Sequence, residues 1–200
     1  MKKTLLPKRT FFDERASEWD AIMITEEAIR DAHELMQKLD IPRGARIIDI
    51  GCGTGILTRK LRSLTGREGA VFSCDFSLEM LTVAREKHDF PYVCADAHHL
   101  PFTRESFDYA ICFSCYPHFD DKKAVLEEIN RILRRQGTLV IAHICHSKKL
   151  SRIHRRAGGA VKHDKLPSEQ VMRKQVKNAG YSLLELNDNE EFYLLRARKL

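Results

Sequence analysis

The chain has 200 residues, 43% of them hydrophobic, and a formal net charge of +6. That is the size of one ordinary domain with enough apolar side chains for a core, and it predicts a single domain over residues 1–200 with no separate substrate domain. The basic stretch Met1 to Arg9 lacks the apolar centre of a secretory signal and no run approaches the ~20 apolar residues of a membrane span, so the expectation is a soluble, cytoplasmic chain with no membrane partner.

From Asp13 to Leu39, Ala16, Trp19, Ile22, Met23, Ile29, Leu35, Met36 and Leu39 recur at helical spacing, which predicts a helical cap within residues 1–40. Ile41-Pro42-Arg43-Gly44 breaks it, and Ile47 to Ile50 reads as a short strand buried on both faces. A helix to about Ser63 follows. Strands and helices then alternate: a strand from Ala70 to Asp75, a helix from Ser77 to Lys87, a strand from Tyr92 to Ala95 and another from Phe107 to Phe113. A helix from Asp121 to Arg135 leads into a strand from Thr138 to Cys145. This alternation implies a parallel sheet. Pro167 to Asn178 reads as a last helix, and the strands Tyr181 to Leu186 and Glu191 to Arg198 are joined by a turn at Asn187-Asp188-Asn189. The six cysteines, mostly inside apolar strand-like stretches, read as buried, reduced thiols.

The charge is uneven. Between Ser147 and Lys165 seven bases, Lys148, Lys149, Arg152, Arg155, Arg156, Lys162 and Lys165, stand against the single acid Asp164, which accounts for the whole excess. With Gly158-Gly159 at its centre, segment 147–166 reads as a basic, lid-like helical insertion with a glycine hinge.

The richest stretch is the strand that runs into Gly51-Cys52-Gly53-Thr54-Gly55, where glycines allow close approach to a ligand and a helix starting near Gly55 offers free N–H groups. The dinucleotide pattern G-x-G-x-x-G is not met, because Ile56 stands where its third glycine belongs. The run Ile47 to Gly55 resembles the first motif of class I methyltransferases that use S-adenosylmethionine. Phe11 to Ala16 with Trp19-Asp20, Asp96 to Phe102 and Ser106-Phe107-Asp108 look most like the quinone-biosynthesis-type, small-molecule branch. The resemblance implies a Rossmann-like α/β fold, a mostly parallel seven-stranded sheet with an antiparallel last strand and helices on both faces.

It also implies a cofactor site at the carboxyl ends of the strands, made by Asp49, Gly51, Cys52, Gly53, Gly55, Asp75, Phe76, Asp96, Ala97 and Phe113. Asp75, twenty-four residues beyond Gly51, stands where an acid accepts from ribose hydroxyls. In the family an acid at the place of Asp96 accepts from the adenine amino group, and Asp49 favours the cationic half of the cofactor.

The acceptor side is rich in imidazole. His118 and His143 are the candidate catalytic bases, and Trp19, His146, Arg152 and Arg155 the candidate acceptor contacts, the arginines for an anionic group. Cys115, His118, His143 and His146 could instead hold a transition metal, since thiolate and imidazole are its usual ligands. Against both stand packing roles for the same residues. The expected activity is one-step transfer of a methyl group to a small-molecule acceptor by in-line displacement. The alternatives are an RNA-directed methyltransferase using segment 147–166, or a non-catalytic protein that binds S-adenosylmethionine or metal. Both monomer and homodimer are left open.

Overall fold

The computed structural model describes residues 2–200, with side chains from Pro7 onward. In chain order its elements are helices α1 (Lys2–Asp13), α2 (Trp19–Met23) and α3 (Glu26–Gln37), then β1 (Arg46–Ile50), α4 (Thr58–Thr65), β2 (Ala70–Asp75), α5 (Leu78–Lys87) and β3 (Tyr92–Cys94). They continue with β4 (Phe107–Phe113), α6 (Lys122–Ile132), β5 (Leu133–His143), α7 (Ser147–Ala157), α8 (Glu169–Asn178), β6 (Tyr181–Asp188) and β7 (Tyr193–Lys199). One seven-stranded sheet has the order β3-β2-β1-β4-β5-β7-β6. The first five strands are parallel, and β7 runs antiparallel to both of its neighbours. The Rossmann-like architecture is therefore the one expected.

Strand alternation builds a core on each face of the sheet. Ile48, Ala110, Leu139, Ile141 and Leu195 point to one side, under Ile129 of α6 and Met172 of α8. Ile47, Val71, Ile111, Val140 and Leu194 point to the other, under Leu35 and Met36 of α3 and Leu61 of α4. Good capping residues open several helices: Thr25, Ser77 and Asp121 each accept from the backbone N–H three residues on.

Boundaries depart from the sequence reading where tertiary contacts intervene. The helical cap within residues 1–40 is made of three helices, α1 lying ahead of the periodic run that begins at Asp13. The helix after β4 stops at Ile132, because Leu133 already pairs with Phe107; the register then slips to Tyr109 with Thr138. The turn read at Asn187-Asp188-Asn189 belongs two residues later, since β6 continues through Asp188 and the Asn189 side chain accepts from the N–H groups of Glu191 and Phe192. No helix among the described residues is long and apolar enough to cross a membrane.

Candidate active site

The parallel strands end at one edge of the sheet, and a cavity of about 530 Å³ opens there, roofed by α1, α2 and α7. Its size falls in the usual ~300–1,000 Å³ range of small-molecule sites, and its walls are mainly apolar. Phe12 sits at the centre of an aromatic cluster, edge-on to Trp19, Phe76 and His118 with ring centroids 5.5, 5.8 and 5.1 Å away.

The turn after β1 is rigidly held. The Gly51 and Cys52 N–H groups donate to the Cys74 carbonyl at 2.8 and 3.1 Å, and the Gly55 N–H donates to the Cys52 carbonyl at 3.0 Å. The expected helix start near Gly55 is corrected to Thr58, so these donors are spent within the turn rather than left free at a helix end. The glycines answer to different neighbours. A Cβ on Gly51 would come within 2.6 Å of the Cys115 Cβ, and one on Gly55 within 2.8 Å of the Tyr92 hydroxyl. At Gly53, with φ +54°, it would meet nothing within 4 Å; it would project into open space beside the cavity it lines.

Two buried acids stand beneath this turn. Asp75 accepts from the N–H groups of Gly53 and Ser77, both at 2.9 Å. Desolvation nonetheless pushes its carboxyl up to about 6. Asp49 is 2% exposed and its Oδ2 has no hydrogen-bond partner. Desolvation first, and the Asp75 charge second, push it up to about 7. An unpartnered carboxylate oxygen at the wall of an apolar cavity suits a cationic ligand. The charge of Asp49 and the open space at Gly53 together fit the sulfonium cofactor.

All but one of the ten residues expected at a cofactor line this cavity; Gly55 does not, being packed against Tyr92 instead. Asp96 is already engaged on one oxygen, Oδ1, by the His98 backbone N–H at 2.9 Å and by the His98 Nδ1 at 2.5 Å. Ser114, at φ +55°, bends the chain sharply after β4 and carries Cys115 under the Gly51 turn, where its thiol donates to the Ile50 carbonyl at 3.0 Å. Cys112 and Cys115 stand in a Cys-x-x-Cys spacing that a reading of the cysteines as packing groups passes over. Both are free thiols, and burial raises that of Cys115 well above its ordinary value.

Trp19, His118 and His143 also line the cavity, whereas His146, Arg152 and Arg155 line a shallow depression on the outer side of α7. Helical period is the reason: Lys149, Leu150, Ile153, His154 and Ala157 share the face turned inward, leaving the arginines on the other. Asp188 of β6 anchors the start of this helix, accepting from the Ser147 N–H at 2.9 Å and its hydroxyl at 2.6 Å. Gly158, at φ +70°, ends it.

The four-residue metal set is corrected. Among the described residues no group of three or more His, Cys, Asp or Glu side chains is placed to hold a metal ion. His146 lies outside the cavity and His118 gives its Nδ1 to Asp164, 2.8 Å away. His143 is 1% exposed with neither ring nitrogen partnered, and burial lowers it to about 3, so it is a neutral imidazole.

Asp164 and Lys8 are the residues that sequence reasoning missed. The Lys8 ammonium, nearly buried, reaches the Asp120 carboxylate at 2.7 Å, Asp164 Oδ1 at 2.9 Å and the His118 carbonyl at 2.8 Å. It ties α1, the loop after β4 and the segment after α7 together. Lys8→Met leaves two carboxylates without their cation and is expected to destabilise the fold by about 2–3 kcal/mol, less than a fully buried pair because Asp120 is partly exposed. Urea unfolding checks this: the midpoint falls with the slope unchanged, and an unmoved midpoint contradicts the clasp.

Residues 48–141 match a family model described as a methyltransferase domain. Among curated proteins, an uncharacterised protein of Methanocaldococcus jannaschii is 33% identical over 132 residues, 66% of this chain and 49% of its own length. The demethylmenaquinone methyltransferase of Staphylococcus saprophyticus is 34% identical over 110 residues, 53% of this chain and 47% of its own. The chain thus spans about half the length of the curated relatives it matches. Among solved structures, a chain from the complex of the Haloferax volcanii Trm112 methyltransferase activator with a methyltransferase superposes with a TM-score of 0.79 at 21% identity, over 94% of this chain and 96% of that one, a likeness of fold. The methyltransferase-domain match across the glycine turn and the strands that follow it, on this sheet order, supports a class I S-adenosylmethionine-dependent methyltransferase.

Proposed function

We propose that this protein transfers a methyl group from S-adenosylmethionine to a small, largely apolar acceptor by direct in-line displacement. The observation that carries the reading is the unpartnered Asp49 carboxylate oxygen in the wall of an apolar cavity, next to a glycine whose missing side chain leaves ligand space. In this reading Asp49, Gly51, Cys52, Gly53, Asp75, Phe76, Asp96, Ala97 and Phe113 surround the cofactor. The bound cofactor supplies an activated methyl group, so the protein has mainly to align the acceptor, exclude water and accept a proton. Phe12 and Trp19 wall the acceptor half, α7 closes over it about the glycines at 158 and 159, and His118 and His143 face it from the strand ends. The arginines of α7 lie outside, and the lining, although it includes Arg15 and Lys149, is mainly apolar, which favours an apolar acceptor over an anionic one.

Calorimetry with S-adenosylhomocysteine tests the reading before any acceptor is known. One site per chain is expected, and a flat titration of folded protein would sink it. The basic segment 147–166 supports the second reading, an RNA-directed enzyme, since none of its seven bases pairs with a carboxylate among the described residues. That reading requires RNA affinity that survives ~150 mM salt.

A further inference from the structure

We propose that the acceptor half of the cavity receives an apolar molecule through a neutral, weakly acidic X–H group, an O–H, S–H or ring N–H, and that Asp164 positions His118 to take its proton. The inference rests on the methyl-transfer reading and names the acceptor class for that site.

The proton arrangement follows from what each imidazole touches. His118 Nδ1 lies 2.8 Å from Asp164 Oδ2, and His154 Nδ1 lies 2.8 Å from the Asp164 backbone carbonyl oxygen. A carbonyl oxygen only accepts, and so does an ionised carboxylate. Hydrogen bonds from His118 and Lys8 hold Asp164 below the usual carboxylate range despite its burial. Both rings therefore donate from Nδ1, and His118, which burial holds below the usual imidazole range, is neutral and leaves a bare lone pair at Nε2. The ring centroids are 4.7 Å apart, both rings line the cavity, and neither Nε2 has a partner among the described residues.

A lone pair in an apolar wall calls for a donor. A carboxylate or phosphate brings only acceptor oxygens to these rings, and Lys8, which meets the His118 carbonyl, is already taken by two carboxylates; of the cations that line the cavity, Arg15 donates to the Phe11 carbonyl, and Lys149 stands on the inward face of α7. His143, neutral and unpartnered, adds no charge. An acceptor that arrives protonated satisfies His118 at once. Its X–H bond then breaks, the proton passes to His118 Nε2, and the electron pair left on X forms the new bond to the methyl carbon. The electrons of the broken S–C bond stay on sulfur, which loses its charge. The positive charge that appears on His118 meets Asp164 across Nδ1.

Because Asp164 follows α7 in the chain and His118 follows β4, the pair exists only while the segment after α7 is seated on the strand ends. Closure and readiness of the base are thereby one event.

The test uses the full chain with ¹⁵N-labelled histidine. Long-range proton–nitrogen correlation in the free protein should find His118 and His154 both protonated at Nδ1, with His118→Gln and His154→Gln spectra giving the assignments. In Asp164→Ala, His118 should shift toward the Nε2–H form that free imidazole favours, while His154, bonded to a backbone carbonyl, should not move. S-adenosylhomocysteine affinity should stay within about twofold while kcat falls by roughly 10²–10⁴. Across paired acceptors on one apolar scaffold, the phenol, thiol and ring N–H members should be methylated and the carboxylate members not. A wild-type His118 protonated at Nε2, a tautomer unmoved in Asp164→Ala, turnover confined to carboxylates or turnover of none of the panel would each overturn the proposal. Should Asp164→Ala fail to fold, the wild-type tautomers decide. Loss of S-adenosylhomocysteine binding in the wild type is a different failure, which removes the cofactor reading and this proposal with it.

Discussion

Asp49→Asn is expected to make the free protein more stable above pH 7 and, at the same time, a roughly hundredfold weaker binder of S-adenosylmethionine. The two effects share one cause. In the unfolded chain this carboxyl titrates near 3.8, and in the folded protein near 7. Between those values the folded protein keeps a proton that the unfolded chain has shed, so stability falls as pH rises across the window. At about 1.4 kcal/mol per pH unit the full effect is on the order of 4 kcal/mol, an upper figure reached only above pH 7. Asp75, raised to about 6, acts in the same direction. An amide at position 49 removes the buried charge, and about 2–4 °C of melting temperature should be gained per kcal/mol recovered. The unpaired amide N–H groups offset part of that gain. Melting curves of both proteins from pH 4 to 9 should lie nearest each other at the acid end and separate as pH rises to about 7. Equal melting temperatures at pH 8.5, or unchanged affinity for the cofactor, would contradict the role given to this carboxylate.

The second large effect is at Gly53. A leucine there should abolish S-adenosylhomocysteine binding while leaving a folded protein, because its side chain would enter space that no protein atom occupies within 4 Å. The left-handed backbone at φ +54° costs a branched or long residue about 1–2 kcal/mol, a few degrees of melting temperature and not a loss of fold. Gly53→Ala separates the contributions, since it carries the same backbone cost with little of the volume. Gly55→Ala is the informative contrast. Its Cβ strikes the Tyr92 hydroxyl, so stability should suffer first and affinity only through it. If Gly53→Leu still binds with wild-type affinity, the cofactor does not lie along this turn.

The alternation of apolar strands with capped helices was legible in the sequence because the central strands β1, β4 and β5 are buried on both faces over most of their length and read as continuous runs, such as Ile47 to Ile50. That residues such as Asp49, Asp75 and Phe113 gather at one cavity was equally legible, since they stand at or next to strand ends in the chain. Other features depend on contacts between distant residues. The start of β5 at Leu133 follows from pairing with Phe107, which local helix propensity in Arg131 to Arg135 cannot register. The histidines near the end of β5 are close in sequence but divided by geometry: His143 points from the strand into the cavity, while His146 begins α7 on its outer side. Asp164 looked like a stray acid in a basic segment, and Lys8 like part of a basic terminus. Their pairing spans 156 positions and carries no local signal.

The reversal of β7 has a practical consequence for handling the protein. Tyr193 at its start pairs with His143 on the cavity side of the sheet, whereas Lys199 at its end reaches the Leu133 carbonyl on the opposite rim. A fusion partner, fluorophore or surface tether attached after Leu200 therefore sits across the whole width of the sheet from the mouth. One attached ahead of α1 sits on the element that supplies Phe11 and Phe12 to the cavity wall. Immobilised or labelled protein should accordingly be built from the carboxyl side, where the handle leaves the cavity mouth unobstructed.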